Sequence, residues 1–175
     1  MEPVSSQLPD FDYHAIMMEE SPTFYSGLST VDKTDFNRWV RENFMVLDVV
    51  NSFDEIVPKL EEYDKVTGMG ITPSPSRCHF NSKAVGMIDS EYQCFTGFVW
   101  RSDPYDPIIT HSFNFRNGKV VDFSRKENRD TIMMSKANFP HRYFGIQIPL
   151  DFIKAFQDEP SEHPLLHEWF VHTQT

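Results

Sequence analysis

The chain has 175 residues, a mass of 20.5 kDa and a formal net charge of −10 at pH 7. This length supports one compact domain, and the acidic balance argues against a nucleic-acid binder, which needs clustered Lys and Arg to contact phosphates. No apolar run is long enough to span a membrane, and the start of the chain lacks the basic and apolar regions of a signal peptide. We therefore expect no membrane contact, a cytoplasmic location and two free cysteines.

The first 70 residues read as an N-terminal arm followed by helices. Residues 1–28 contain prolines and no sustained period, which predicts an extended arm with a short helical segment around 13–18. Apolar side chains then recur at helical spacing as far as Leu47, with Asp32 or Thr34 in position to cap the helix.

A second helix is predicted to follow directly. Ser52-Phe-Asp-Glu55 fits a capping box, in which a serine and a glutamate satisfy backbone N–H groups reciprocally. Pro58 marks the first turn or a kink, and Gly68 and Gly70 end the helix.

Residues 78–89 predict a further helix, which begins at Cys78 after a loop rich in proline and serine. Ser76 is in position to cap it. Four apolar residues supply its expected buried side: Phe80, Ala84, Met87 and Ile88.

The remaining elements alternate between strands and helices. Residues 92–101 and 142–148 have the β-rich composition of strands, and residues 125–141 between them include a polar surface connection. Pro149 at the first turn predicts a helix to residue 156, and residues 165–170 predict a last short helix.

Asn117-Gly118, between two alternating runs, is the strongest hairpin signal in the chain. A two-residue turn at this point pairs Arg116 with Lys119. The pairs further out follow from that register.

The same register places Phe113 opposite Asp122 and His111 opposite Ser124, with all four side chains on one face of the ribbon. His111 and Asp122 then become diagonal neighbours, with alpha carbons about 7–8 Å apart. An imidazole base and the carboxylate that orients it need this arrangement.

Cys78 is the candidate nucleophile for this pair. A cysteine at a helix N-terminus faces unpaired N–H groups and the positive end of the helix dipole, which both favour the thiolate. His111 would transfer the proton, Asp122 would fix the tautomer of the imidazole, and the backbone N–H of Cys78 would stabilise an oxyanion.

Other side chains receive structural interpretations. His79 should point about 100° away from Cys78 on a helix and lie at the rim, while Asn81 should be a structural hydrogen-bonding residue. Cys94 is flanked by apolar residues and is expected in the core. The other histidines are expected at the surface: His14, His141, His163, His167 and His172.

A zinc site is the metal alternative. It would use Cys78, His79, His111 and Asp122. These four residues include no Cys-x-x-Cys or His-x-x-x-His pair of the kind typical of structural zinc sites, so we expect no metal and no cofactor.

Four short motifs occur in order along residues 78–148: Cys78-x-x-Asn81, His111-x-Phe, Gly118-x-Val-x-Asp122 and Tyr143-Phe-Gly-Ile. They resemble the motifs of small phage and bacterial proteins with a papain-like, transglutaminase-like core. The order Cys, His, Asp is also that of transglutaminase-like proteases and arylamine N-acetyltransferases. The chain departs from the pattern at Ser82, Phe113 and Phe123-Ser124, which stand where the family has Ala, Trp and Pro-Thr.

The resemblance implies an α+β fold in which a cysteine-bearing helix lies on an antiparallel sheet. We expect a single domain over 1–175, with the arm and helices in 1–70, the papain-like core in 71–156 and a tail in 157–175. The helical cap would limit access to the site.

Two functions are open at this stage. The first is a thiol hydrolase or acyltransferase acting on an amide, isopeptide or thioester bond of a protein or small acyl substrate. The second is a binding protein of a virus or mobile element, with an idle site, that sequesters a host protein in the host cytoplasm.

Overall fold

A computed structural model describes residues 8–20, 22–74, 77–101, 108–125 and 140–175. The predicted cap at Ser76 and most of the predicted surface connection at 125–141 lie outside these residues. Within them, no helix is long and apolar enough to cross a membrane.

The architecture is α+β, with helices packed on one antiparallel sheet. The five strands lie in the order β1-β5-β2-β3-β4. Their bounds are β1 Met45–Val50, β2 Gln93–Trp100, β3 Ile108–Arg116, β4 Lys119–Val121 and β5 His141–Gln147.

Six α-helices and three 3₁₀ turns complete the described part of the chain. The helices are α1 Tyr13–Glu20, α2 Lys33–Asn43, α3 Leu60–Gly68, α4 Cys78–Ile88, α5 Leu150–Phe156 and α6 Leu166–Thr173. The 3₁₀ turns are Ser26–Thr30, Phe53–Glu55 and Phe123–Arg125.

The sheet curls so that its two outer strands approach each other. The Asp48 carboxylate on β1 accepts a hydrogen bond from the backbone N–H of Val120 on β4. The concave side of the sheet encloses an apolar cluster that includes Phe95, Phe113 and Tyr143. This nearly closed sheet buries side chains on both faces.

The N-terminal arm packs firmly against the rest of the chain. Tyr13 and Met17 of α1 are fully buried in the largest apolar cluster, which also contains α2 and α6. The Tyr13 ring contacts Phe98 and Phe144 of the sheet at centroid distances of 5.1 and 6.2 Å. The predicted helical segment is therefore confirmed and is part of the core.

The predicted helix through Leu47 is wrong in its last four residues, 44–47. Asp32 caps α2 by accepting from the Asp35 N–H at 2.9 Å, as expected, but the helix ends at Asn43. Residues 45–50 form β1, which pairs with β5. The β-branched residues of this segment favour a strand once a partner strand is available.

The predicted second helix is also shorter than expected. Ser52 caps only a single 3₁₀ turn, by accepting from the Asp54 N–H at 3.3 Å, and Glu55 accepts from the Asn51 N–H at 3.0 Å. Pro58 lies between this turn and α3, since its ring and missing N–H prevent a continuous helix. The predicted cap at Ser52 therefore forms, but Pro58 prevents the turn that it caps from continuing into α3.

Helix α4 begins at Cys78 as predicted, but the face that it buries is not the apolar face predicted from the sequence. Ala84 is buried, whereas Phe80, Met87 and Ile88 are only half-buried. The buried face is mostly polar and small: His79, Asn81, Ser82, Lys83, Ala84, Val85 and Gly86. It contacts β3 through two hydrogen bonds of 3.0 Å, from Ser82 Oγ to the Phe113 carbonyl and from Asn114 Nδ2 to the Ser82 carbonyl.

Candidate active site

The predicted hairpin is confirmed in its turn and its register. Asn117 and Gly118 have φ of 53° and 76°, as a two-residue turn of this type requires, and Arg116 pairs with Lys119. The ladder then ends at Val121. The backbone N–H of Asp122 donates to the Ile56 carbonyl at 2.8 Å instead of to β3.

His111 therefore has no strand partner at Ser124, contrary to the sequence prediction. Residues 123–125 form a 3₁₀ turn, in which the Ser124 N–H donates to Asp122 Oδ1 at 3.1 Å. The chain leaves the ribbon here because Asp122 bonds to the Ile56 segment. The turn leaves one edge of β3 without a neighbouring strand at His111, among the described residues.

His111 and Asp122 meet as the register predicts. The distance from His111 Nε2 to Asp122 Oδ2 is 2.7 Å, and both side chains are buried. The Tyr143 hydroxyl donates to the same carboxylate oxygen at 2.7 Å. Burial by itself lowers the pKa of His111, but the charges of Asp122 and the Cys78 thiolate, with hydrogen bonds to both, raise it to about 9. The ring is therefore an imidazolium at neutral pH.

Cys78 is the first residue of α4 and is partly exposed. Burial raises the pKa of its thiol, but the rings of His79 and His111 lower it by charge and by hydrogen bonds, and the net result lies well below the usual value. The structure therefore brings together all three residues of the predicted triad. Asp122 binds one nitrogen of His111, Nε2, which leaves Nδ1 for the sulfur.

The rim position predicted for His79 is wrong. His79 is 5% exposed, and its Nδ1 bonds to Ser112 Oγ on β3. Because Ser112 Oγ donates to Thr96 Oγ1 at 3.0 Å, it accepts from Nδ1–H of His79, so Nε2 is the ring nitrogen left to contact Cys78. The His79 ring therefore contacts β3, as the neighbouring Cys78 does through His111.

Asn81 has the structural role expected from its position. Its amide donates to the Ser74 carbonyl at 2.6 Å and accepts from the Ser74 N–H at 3.2 Å, and it also donates to Ser124 Oγ at 3.0 Å. These bonds tie the loop before α4 to the 3₁₀ turn after Asp122. They fix the start of α4, where Cys78 lies, relative to the turn that follows Asp122.

Glu162 is a site residue that sequence reasoning missed. Its carboxylate accepts from the backbone N–H groups of Phe80 at 3.0 Å and His79 at 3.4 Å, so it caps α4 from a distant part of the chain. Burial raises the pKa of Glu162, and the neighbouring Cys78 charge raises it further. No local pattern marks this residue, since only the fold brings 162 to the start of α4.

The four-residue zinc set considered from the sequence is not the group that the structure assembles. Asp122 is committed to His111 and Tyr143. Among the described residues, the group that could hold a metal ion is Cys78, His79 and Glu162, whose ligand atoms all lie within 4.8 Å of one another.

Cys94 is a core residue, as predicted. It is 5% exposed, and its Sγ lies 3.4 Å from the Ser82 carbonyl. Burial raises its pKa to about 11.

The surface prediction for the histidines holds only for His172. His141 is buried in β5, with its ring 5.4 Å from that of Phe53. His14, His163 and His167 are half-buried. The surface prediction failed because α1, β5 and the segment leading into α6 pack on the rest of the chain.

Comparisons of the chain with protein-family models, with curated proteins and with solved structures gave no match. The geometry of the site therefore carries the functional interpretation.

Proposed function

We propose that this protein is a cysteine-dependent hydrolase or acyltransferase that acts on an amide, isopeptide or thioester bond. Cys78 is the nucleophile, His111 the acid and base, and Asp122 the residue that orients His111. We also propose that the helix and sheet form a papain-like, transglutaminase-like core, as the motif order along residues 78–148 suggests.

One observation carries the proposal: a buried imidazole lies between a carboxylate and a thiol. The 2.7 Å contact of His111 with Asp122 fixes the tautomer and orientation of the ring, and the charge of the ring stabilises the Cys78 thiolate. A buried structural cysteine needs neither partner. The arrangement has the geometry of a nucleophile, a base and an orienting group.

The chemistry follows in two steps. The thiolate attacks the carbonyl carbon and forms a C–S bond, and the leaving amine or thiolate takes the proton of the imidazolium as its bond to the acyl group breaks. Water or an acceptor nucleophile then attacks the acyl-enzyme, gives its proton to His111 and releases Cys78. No cofactor enters either step.

The oxyanion of each tetrahedral intermediate needs a hydrogen-bond donor close to the sulfur. The N–H groups of His79 and Phe80 donate to Glu162. We assign the backbone N–H of Cys78 to the oxyanion, since it adjoins the sulfur.

A panel of electrophilic acyl and peptide probes tests the proposal. We expect one probe class to label the protein at Cys78 alone, and the variants C78A and H111A to abolish labelling. The matched control is C94A, which removes the other thiol and leaves labelling intact. Equal labelling of H111A and the native protein would contradict the proposal, because the thiolate would then not depend on the imidazole.

The substrate class is a protein or a small acyl compound. If C78S keeps a protein partner bound and no probe labels the native chain, the protein is a binding protein and the enzyme proposal is wrong.

A further inference from the structure

The proposed acyl transfer uses no part of Glu162, yet this side chain lies beside the nucleophile. Its carboxylate, the Cys78 sulfur and a His79 ring nitrogen lie within 4.8 Å of one another. A carboxylate this close to a thiolate repels it and disfavours an oxyanion at the same helix terminus. A cation bound between the two anions removes this repulsion.

The donor set is the kind that zinc prefers. Zinc binds thiolate sulfur, imidazole nitrogen and carboxylate oxygen, one of each of which is present here. Zn–S and Zn–N bonds of about 2.3 and 2.0 Å place the ligand atoms of a tetrahedral site about 3.5 Å apart. The three ligand atoms lie within 4.8 Å of one another, so a side-chain shift of about 1 Å brings them to this spacing.

Groups around the three donors hold two of them in position. His79 Nδ1 donates to Ser112 Oγ, so the opposite ring nitrogen is the one that can bind a metal ion in place of a proton. The Glu162 carboxylate is held by the N–H of Phe80 at 3.0 Å. Outer contacts of this kind orient metal-binding histidines and carboxylates in zinc proteins.

We propose that Cys78, His79 and Glu162 form a binding site for a divalent transition-metal ion, Zn²⁺ in the first place, and that bound metal blocks the thiol. The fourth position of the tetrahedron is taken by water or by the ring of His111. Where the ring of His111 takes the fourth position, the proton of that ring nitrogen is released to solvent. The site shares the nucleophile of the proposed function and does not depend on turnover.

Titration of EDTA-treated protein with Co²⁺ tests the site, because cobalt bound to a thiolate gives a charge-transfer absorption in the near ultraviolet. We expect one equivalent of Co²⁺ to produce this band and Zn²⁺ to displace it. C78S should abolish the band. H79Q and E162Q should weaken binding more than about 100-fold, because loss of outer contacts alone costs about 10–100-fold. S112A removes only an outer contact and should weaken Co²⁺ binding by about 10–100-fold.

Two control variants leave the site intact. E159Q makes the same substitution as E162Q at an exposed position of the same segment, and C94A removes the second thiol. Both should bind Co²⁺ as tightly as the native protein. Glutamine at 162 keeps an oxygen that accepts from the Phe80 N–H, so E162Q preserves the cap on α4.

The absence of a thiolate–cobalt band in the native protein overturns the metal site. Equal affinity in E162Q and the native protein also overturns it. If neither E162Q nor the native protein binds Co²⁺ and E162Q is alkylated faster, Glu162 instead blocks access to the N-terminus of α4.

The alkylation rate of metal-free protein with iodoacetamide separates this proposal from the proposed function. Rapid alkylation of Cys78 without Co²⁺ binding rejects the metal site and leaves acyl transfer standing. Co²⁺ binding with an ordinary alkylation rate does the reverse. Protection of Cys78 by one equivalent of Zn²⁺, reversed by EDTA, supports the blocking role.

Discussion

The two cysteines of this chain have opposite surroundings. Cys94 lies in β2 under α4, where its Sγ faces the Ser82 carbonyl and burial raises its pKa to about 11. Cys78 lies at the start of α4, where burial also opposes ionisation but two imidazole rings outweigh it and lower its pKa. The difference is one of partners, since burial acts in the same direction on both.

This comparison shows what a reactive thiol requires beyond a position in the core. A desolvated sulfur becomes a thiolate only if fixed positive charge and hydrogen-bond donors replace the lost water. His111 supplies both because Asp122 keeps it protonated. The Cys94 region offers a carbonyl, which accepts and does not donate.

Alkylation with iodoacetamide tests the difference between the two cysteines most directly. At about pH 5.5 the thiolate fraction of Cys94 is so small that it outweighs the higher nucleophilicity of its anion, and we expect Cys78 to react on the order of 10²–10³ times faster. Mass spectrometry of quenched samples measures the two rates. Similar rates would mean that the site at Cys78 is not activated.

The variant H111Q should make the alkylation rate of Cys78 more similar to that of Cys94. Without the imidazolium the thiol moves toward its ordinary pKa of about 8.5, and alkylation at about pH 5.5 should slow roughly 10–30-fold. H172Q is the matched control, since it makes the same change at an exposed position. A rate for H111Q like that of H172Q would show that His79 alone stabilises the thiolate.

The pH dependence of the Cys78 alkylation rate tests the role of Asp122. As the pH rises through about 9, His111 loses its proton, so the thiolate loses its countercharge and its alkylation rate should increase in a second step. In D122N the burial that lowers the pKa of His111 is no longer offset by the carboxylate. The second step should therefore shift to lower pH by about one unit, a tenfold change in proton affinity. An unshifted step would contradict the orienting role.

Y143F should weaken the folded state without a change in charge. It removes the hydrogen bond that Tyr143 donates to the buried Asp122 carboxylate at 2.7 Å, and bonds to charged groups contribute about 1.5–3 kcal/mol. Urea unfolding should show a lower midpoint with an unchanged slope. An unchanged midpoint would show that the carboxylate has found another donor.

The smallest effect is expected at the turn that sets the register of His111 and Asp122. Gly118 has φ of +76° and open space where a Cβ atom would lie, so G118A adds backbone strain and no clash, at a cost of about 1 kcal/mol. G68A is the control: it also lies in open space, without a positive φ. Equal unfolding midpoints for the two variants would rule out strain at the turn.

The hairpin was predictable because its determinants are adjacent in sequence. Asn117-Gly118 specifies a turn, the turn specifies the register, and the register brought His111 and Asp122 together. The start of α2 was also predictable, since its Asp32 cap is a local signal, whereas α4 is capped by the distant Glu162. Leu47 was misassigned because a helical period and a strand are hard to separate over a few residues until a partner strand is present.

The amino-acid sequence by itself determined the α+β character, the hairpin register and the residues of the candidate triad. Only the tertiary structure decided that Tyr143 supports Asp122, that His79 turns inward and that Glu162 reaches the start of α4. The physical reason is the range of the interactions. Turns, caps and periods act over a few residues, whereas the charges and hydrogen bonds that tune Cys78 come from segments that meet only when the sheet has formed.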